Sequence, residues 1–135
     1  MNHERVRAGY AVAVGAAMVG LWAVLFATGG VPELATAPAE VAFHLAAELL
    51  TALALLASGV GLLRGREWAR RLHPVALGML LYAAISAAGY YAGLGDDAAV
   101  GAFGVLIVAT VAAVLDAVGR RERPAAAGQG GEPVA

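Results

Sequence analysis

The chain contains no cysteine. That excludes disulfide staples, thiolate metal centres and cysteine redox relays at once. Lysine is also absent, so all nine basic residues are arginines. Charge of either sign is scarce, at 14% of 135 residues, against about 25% in an ordinary soluble domain. So little charge does not coat a water-facing globule, and it leaves no basic stripe of the kind a nucleic acid needs.

Apolar residues fill the space: 61% of the chain is hydrophobic and the mean hydropathy is +0.75. Four long apolar runs stand out, at about 8–28, 41–63, 74–95 and 98–119. The hydrocarbon core of a bilayer is about 30 Å thick and takes about 20 helical residues to cross. Lipid offers nothing to an unpaired backbone group, so each run is expected to be a helix. Strand-like alternation is absent. These features predict an all-α fold, an integral membrane four-helix bundle over 1–119. The remainder, 120–135, is rich in Gly, Pro and small residues and is expected to be a disordered cytoplasmic tail.

The arginines give an orientation. Arg5 and Arg7 precede the first run, Arg64, Arg66, Arg70 and Arg71 separate the second from the third, and Arg120, Arg121 and Arg123 follow the fourth. Four crossings put all three groups on one side, while Glu33, Asp96 and Asp97 fall on the other. Arginine-rich short loops stay in the cytoplasm. Both termini are therefore expected inside, in a cytoplasmic membrane crossed several times. The first run exceeds the roughly 7–15 residues of a signal-peptide core and is expected to remain as a span.

Turn formers mark the connections. "GGVPELATAP" joins the first two runs, and Pro38 suits the first turn of the second helix. "RGREWARRLHP" reads as a loop at the headgroups, with Trp68 as an interfacial anchor and Pro74 opening the third helix. Its arginines attract anionic lipid by about 1 kcal/mol each. "GLGDD" is short enough to force a tight hairpin. Ala16 with Gly20, Ala57 with Gly61, and Gly89 with Gly93 are small pairs one turn apart, with Gly101 and Gly104 adding a flat patch. They are expected to let helices approach closely within one bundle or across a homo-oligomer seam.

One run is interrupted. Glu40, His44 and Glu48 recur every four residues in the second, and Thr51 and Ser58 extend the same edge. Each ionisable group in lipid costs about 2.5–3.5 kcal/mol, so the edge should face other helices. On the third run Tyr82, Ser86 and Tyr90 form a second polar edge. Counting depth at about 1.5 Å per residue puts His44, Glu48, Ser86 and Tyr90 in the outer half, with Trp22 and Phe26 of the first run. A ligand pocket lined by His44, Glu48, Ser86 and Tyr90, with Glu40, Thr51 and Tyr82 along its edges, is the expected site. His44 and Glu48 alone could share a metal ion. The repeated Glu-x-x-His of a di-metal bundle is missing, so no metal site is assigned. No nucleophile is evident and no catalytic residue is assigned. Asp116 is expected to pair with Arg120 or the loop arginines.

The stretch "AELLTALALLASGVGLLRGREWARRLHPVALGMLLY", Ala47 to Tyr82, resembles the core of the DoxX-like small membrane proteins. In that group a glutamate opens a Leu-rich half-span ending in Gly-x-Leu-Leu before a basic loop. Here those positions are Glu48 and Gly61, Leu62, Leu63, Arg64. Thr51 and Ala52 stand where the group often has a glycine pair. The resemblance implies four helices and a role for Glu48, and its namesake is linked to quinone-coupled sulfur oxidation.

The sequence thus leads to a multi-pass membrane protein that binds a partner subunit or an amphipathic, quinone-like small molecule. An oligomeric proton or cation transporter subunit, or an accessory subunit of a membrane oxidoreductase, would use the same polar edge. No cofactor is specified by the residues.

Overall fold

The computed structural model describes residues 2–127, with side chains described over 3–119. Five helices form the described chain: α1 (Asn2–Thr28), α2 (Glu33–Thr36), α3 (Pro38–Leu63), α4 (Glu67–Leu94) and α5 (Asp97–Ala127). The four long helices are each apolar and long enough to cross a membrane. The fold is all-α, as the apolar runs require.

The chain divides into two compact units, Met1–Ala83 and Ala84–Ala135, with α4 continuing from one into the other. In the first unit α1 packs on α3 along a seam of small residues. A β-carbon on Gly15 would sit 2.9 Å from the Ala52 carbonyl oxygen, and one on Gly59 would sit 2.9 Å from the Ala8 carbonyl oxygen. Ala8, Ala11, Ala52 and Leu55 are fully buried beside them. The two backbones therefore touch where no side chain separates them. The seam runs through Gly15; Ala16 and Gly20 are exposed, and a β-carbon on Gly20 would meet nothing within 4 Å. The same is true of Gly89, Gly93, Gly101 and Gly104. Only Gly61 of the expected small residues makes such a contact, against Ala69 and Trp68.

Three long helices stop in the same way. Gly29, Gly65 and Gly95 adopt φ of +67°, +66° and +71° just after α1, α3 and α4. After α3, the Gly65 N–H donates to the Leu62 carbonyl at 3.0 Å and the Arg66 N–H to the Gly61 carbonyl at 2.9 Å. This is the Schellman arrangement, and it repeats after α1 and α4. Pro38 opens α3, where its missing N–H costs no bond.

Pro74 does not open α4. The helix begins at Glu67 and carries Pro74 inside it. The connection from α3 is only Arg64–Arg66, and residues 67–73 are already helical. Glu67 favours a helix start through the dipole, and the Schellman turn ends α3 so sharply that the next helix begins at once. In the second unit, Asp96 accepts a bond from the Ala99 N–H at 3.0 Å and caps α5. Tyr91 and Phe103 then stack at 5.6 Å across the short turn, the tight hairpin that "GLGDD" predicts. α5 runs on past Gly119 through residues 120–127, part of the stretch assigned to a tail. Arg, Glu and Ala are good helix formers, which carries it there. Residues 128–135 lie outside the described residues, as do the side chains of Arg120, Arg121 and Arg123.

Candidate functional site

Glu48 is the centre of the polar edge. Its position on α3, three residues before Thr51 on the buried side, turns the carboxylate toward α1. There the Trp22 indole N–H donates to Oε2 at 2.5 Å. One turn back on α3, His44 Nε2 lies 3.3 Å from Oε1. Each carboxylate oxygen thus has its own partner, one from α1 and one from α3. The Glu48 side chain keeps 15% of its surface exposed, and His44 keeps 51%.

The rings complete the cluster. Trp22 is 8% exposed. Its ring stands edge-on to His44 at 5.9 Å and tilted to Phe26 at 5.7 Å. Such pairs stabilise beyond their buried area by about 0.5–1.5 kcal/mol. Trp22 and Phe26 are one turn apart on α1, as His44 and Glu48 are on α3. The cluster is therefore two helix edges in register, locked by one carboxylate.

The other expected residues separate into distinct settings. Glu40 is exposed in the first turn of α3. Thr51 is buried, and its hydroxyl donates to the Ala47 carbonyl of its own helix at 2.8 Å. Tyr82, in the same unit, is 75% exposed. Ser86 and Tyr90 belong to the second unit, where both are exposed and Tyr90 stands edge-on to Tyr91 at 5.3 Å. The first unit thus brings together His44 and Glu48 with Trp22, the residue that sequence reasoning placed at the right depth but did not assign to the site. Depth counting along α1 was the signal that marked it.

Each oxygen of Glu48 thus has one nitrogen partner within the cluster. No group of three or more His, Asp or Glu able to hold a metal ion occurs among the described residues. The half-exposed imidazole, held by Glu48 through one nitrogen, presents the rest of its ring outward as a hydrogen-bonding edge.

A second histidine was missed by sequence reasoning, which placed it at the headgroups. His73 is fully buried. Its Nδ1 lies 3.4 Å from Ser58 Oγ on α3. At the same end Arg70 bridges Glu4 at 3.0 Å and Glu67 at 2.8 Å. The only advance signal was the helical spacing from Ala69 to His73, hidden by reading Pro74 as a helix start.

No curated protein and no solved structure matches the chain. A family profile described as Domain of unknown function (DUF8058) matches residues 1–127. With that match spanning nearly its whole length, the chain belongs to the DUF8058 family.

Proposed function

We propose that this is a multi-pass protein of a cytoplasmic membrane, with its arginine-bearing segments inside, and that it binds an amphipathic, quinone-like small molecule at the Trp22–His44–Glu48 cluster. The observation that carries the reading is the pairing of both Glu48 oxygens, which fixes the half-exposed His44 ring. With its Nε2–H given to the carboxylate, the ring keeps Nδ1 as an acceptor for a hydroxyl of the reduced form of a quinone-like head, and Trp22 and Phe26 supply ring faces for the flat molecule in either form. A polar head with an apolar tail matches a site on a helix bounded by lipid. Binding of a partner subunit at this edge is the competing outcome.

The test uses the full chain in mild detergent with Trp68→Phe, leaving Trp22 as the only tryptophan. Decylubiquinone should quench Trp22 emission saturably, and His44→Ala should abolish saturation. Equal, saturable quenching in His44→Ala overturns the reading. Mass analysis of material co-eluting from native purification separates a small molecule from a partner subunit. Orientation is tested with Arg66→Cys and Ala35→Cys, each the sole thiol of its chain. An impermeant maleimide should label only Ala35→Cys in intact cells; labelling of Arg66→Cys overturns the topology.

A further inference from the structure

The turn from α3 to α4 gathers arginines at one end of the first unit. Ala8 of α1, Leu62 of α3 and Ala69 of α4 form one buried apolar contact there. Arg70 of α4 reaches Glu4 of α1 at 3.0 Å. Arg5, Arg64, Arg66 and Arg71 are close neighbours of these residues in the chain and share the same end. The arginines are not equivalent. Arg70 is clasped by two carboxylates, Glu4 at 3.0 Å and Glu67 at 2.8 Å. Arg5, Arg64, Arg66 and Arg71 are exposed, and their side chains make no hydrogen bond or ion pair among the described residues.

Apolar side chains stand directly beside these four cations. Val6 follows Arg5, Leu63 precedes Arg64, and Trp68 comes two residues after Arg66; all three are exposed. A β-carbon on Gly61 would lie 2.9 Å from Trp68 Cη2, so the indole rests on the end of α3 while about half of its surface stays open. Between Arg64 and Arg66, Gly65 turns at φ +66° and has open space where a β-carbon would stand. A ligand can approach the backbone there without meeting a side chain.

We propose that this end of the first unit binds an anionic glycerophospholipid, with its phosphate held among Arg5, Arg64, Arg66 and Arg71 and its glycerol and upper acyl chains against Trp68, Leu63 and Val6. The inference rests on the membrane reading above. A guanidinium donates paired N–H bonds to phosphate oxygens. A nucleic acid or an acidic peptide would engage the cations and leave the apolar side chains wet. A lipid covers both, because its charge and its hydrocarbon are separated only by a glycerol. Arg70, held by its own two carboxylates, adds little to the attraction.

The test uses the full chain with Trp22→Phe, leaving Trp68 as the only tryptophan, in vesicles of phosphatidylglycerol and phosphatidylcholine in equal parts. One preparation carries bromine on the phosphatidylglycerol chains, the other on the phosphatidylcholine chains. Brominated phosphatidylglycerol should quench Trp68 more strongly, with a relative affinity of about fivefold or more, the effect of one basic residue at an anionic surface. High salt should weaken the preference. Arg64→Gln with Arg66→Gln should remove most of it. Glu4→Gln with Arg70→Gln, which takes away one charge of each sign, should keep it. If Trp22→Phe fails to assemble, spin-labelled forms of the two lipids around the unaltered chain decide, through the share of each that is motionally restricted. Equal response to the two lipids in the parent, a preference untouched by Arg64→Gln with Arg66→Gln, or one lost in Glu4→Gln with Arg70→Gln overturns the proposal. Quenching by neither lipid overturns the membrane reading with it.

Discussion

Two histidines of the first unit occupy opposite situations. His44 keeps half its surface exposed and has a carboxylate partner, whereas His73 has no exposed surface and only a serine oxygen. Sequence context suggests the reverse. His44 lies in the middle of an apolar run and looks buried. His73 lies among arginines beside a proline and looks like loop. Burial is decided by the face a residue takes on its helix, and the helix of His73 begins two turns earlier than Pro74 implies. A carboxylate partner holds the exposed ring at one end, while tight packing encloses an unsatisfied nitrogen at the other.

Four substitutions break or sharpen this contrast, and thermal unfolding in detergent reads them all. Gly59→Val should have the largest effect. Its β-carbon would lie 2.7 Å from Val12 Cγ2 and 2.9 Å from the Ala8 carbonyl oxygen. Overpacking of this kind costs about 1–3 kcal/mol or more. The seam joins both histidine clusters, so both should fail together, visible also as loss of monodisperse protein. Glu48→Ala comes next. It strips Trp22 and His44 of their shared acceptor and should cost about 1–3 kcal/mol, leaving the His73 end intact. His73→Phe should change stability by no more than about 1 kcal/mol at neutral pH, since Ser58 keeps its bond to Leu55 and an unsatisfied acceptor disappears. A large loss there would show that the ring holds a bond the geometry does not reveal. Glu4→Gln should be smallest, below about 1 kcal/mol, because the Glu4–Arg70 pair is about half exposed.

The long helices were legible because length and hydropathy decide them together. Their ends were legible at Gly29, Gly65 and Gly95, where glycine follows an apolar run. The start of α4 was not. Pro74 is a strong breaker in isolation, yet it is accommodated inside a helix whose first turn is set by Glu67 and the preceding stop. The four-residue spacing of Glu40, His44 and Glu48 revealed an edge but not its partner. That partner, Trp22, depends on how α1 slides along α3, and the slide is fixed by Gly15 and Gly59. Two adjacent small residues, Gly15 and Ala16, look alike in composition; only the three-dimensional face separates them.

The repeated glycine stop has a mechanical consequence. Because α1, α3 and α4 each close their last carbonyls with the chain's own N–H groups, their lengths are set internally and do not fray to suit the surroundings. Where such rods cross a bilayer thinner or thicker than their length, the mismatch is met by tilting them or by deforming the lipid, at a fraction of a kcal/mol per ångström. Replacing Gly65 with a β-branched residue, which resists positive φ, would surrender that fixed length at the α3 end and turn a rigid ruler into an adjustable one.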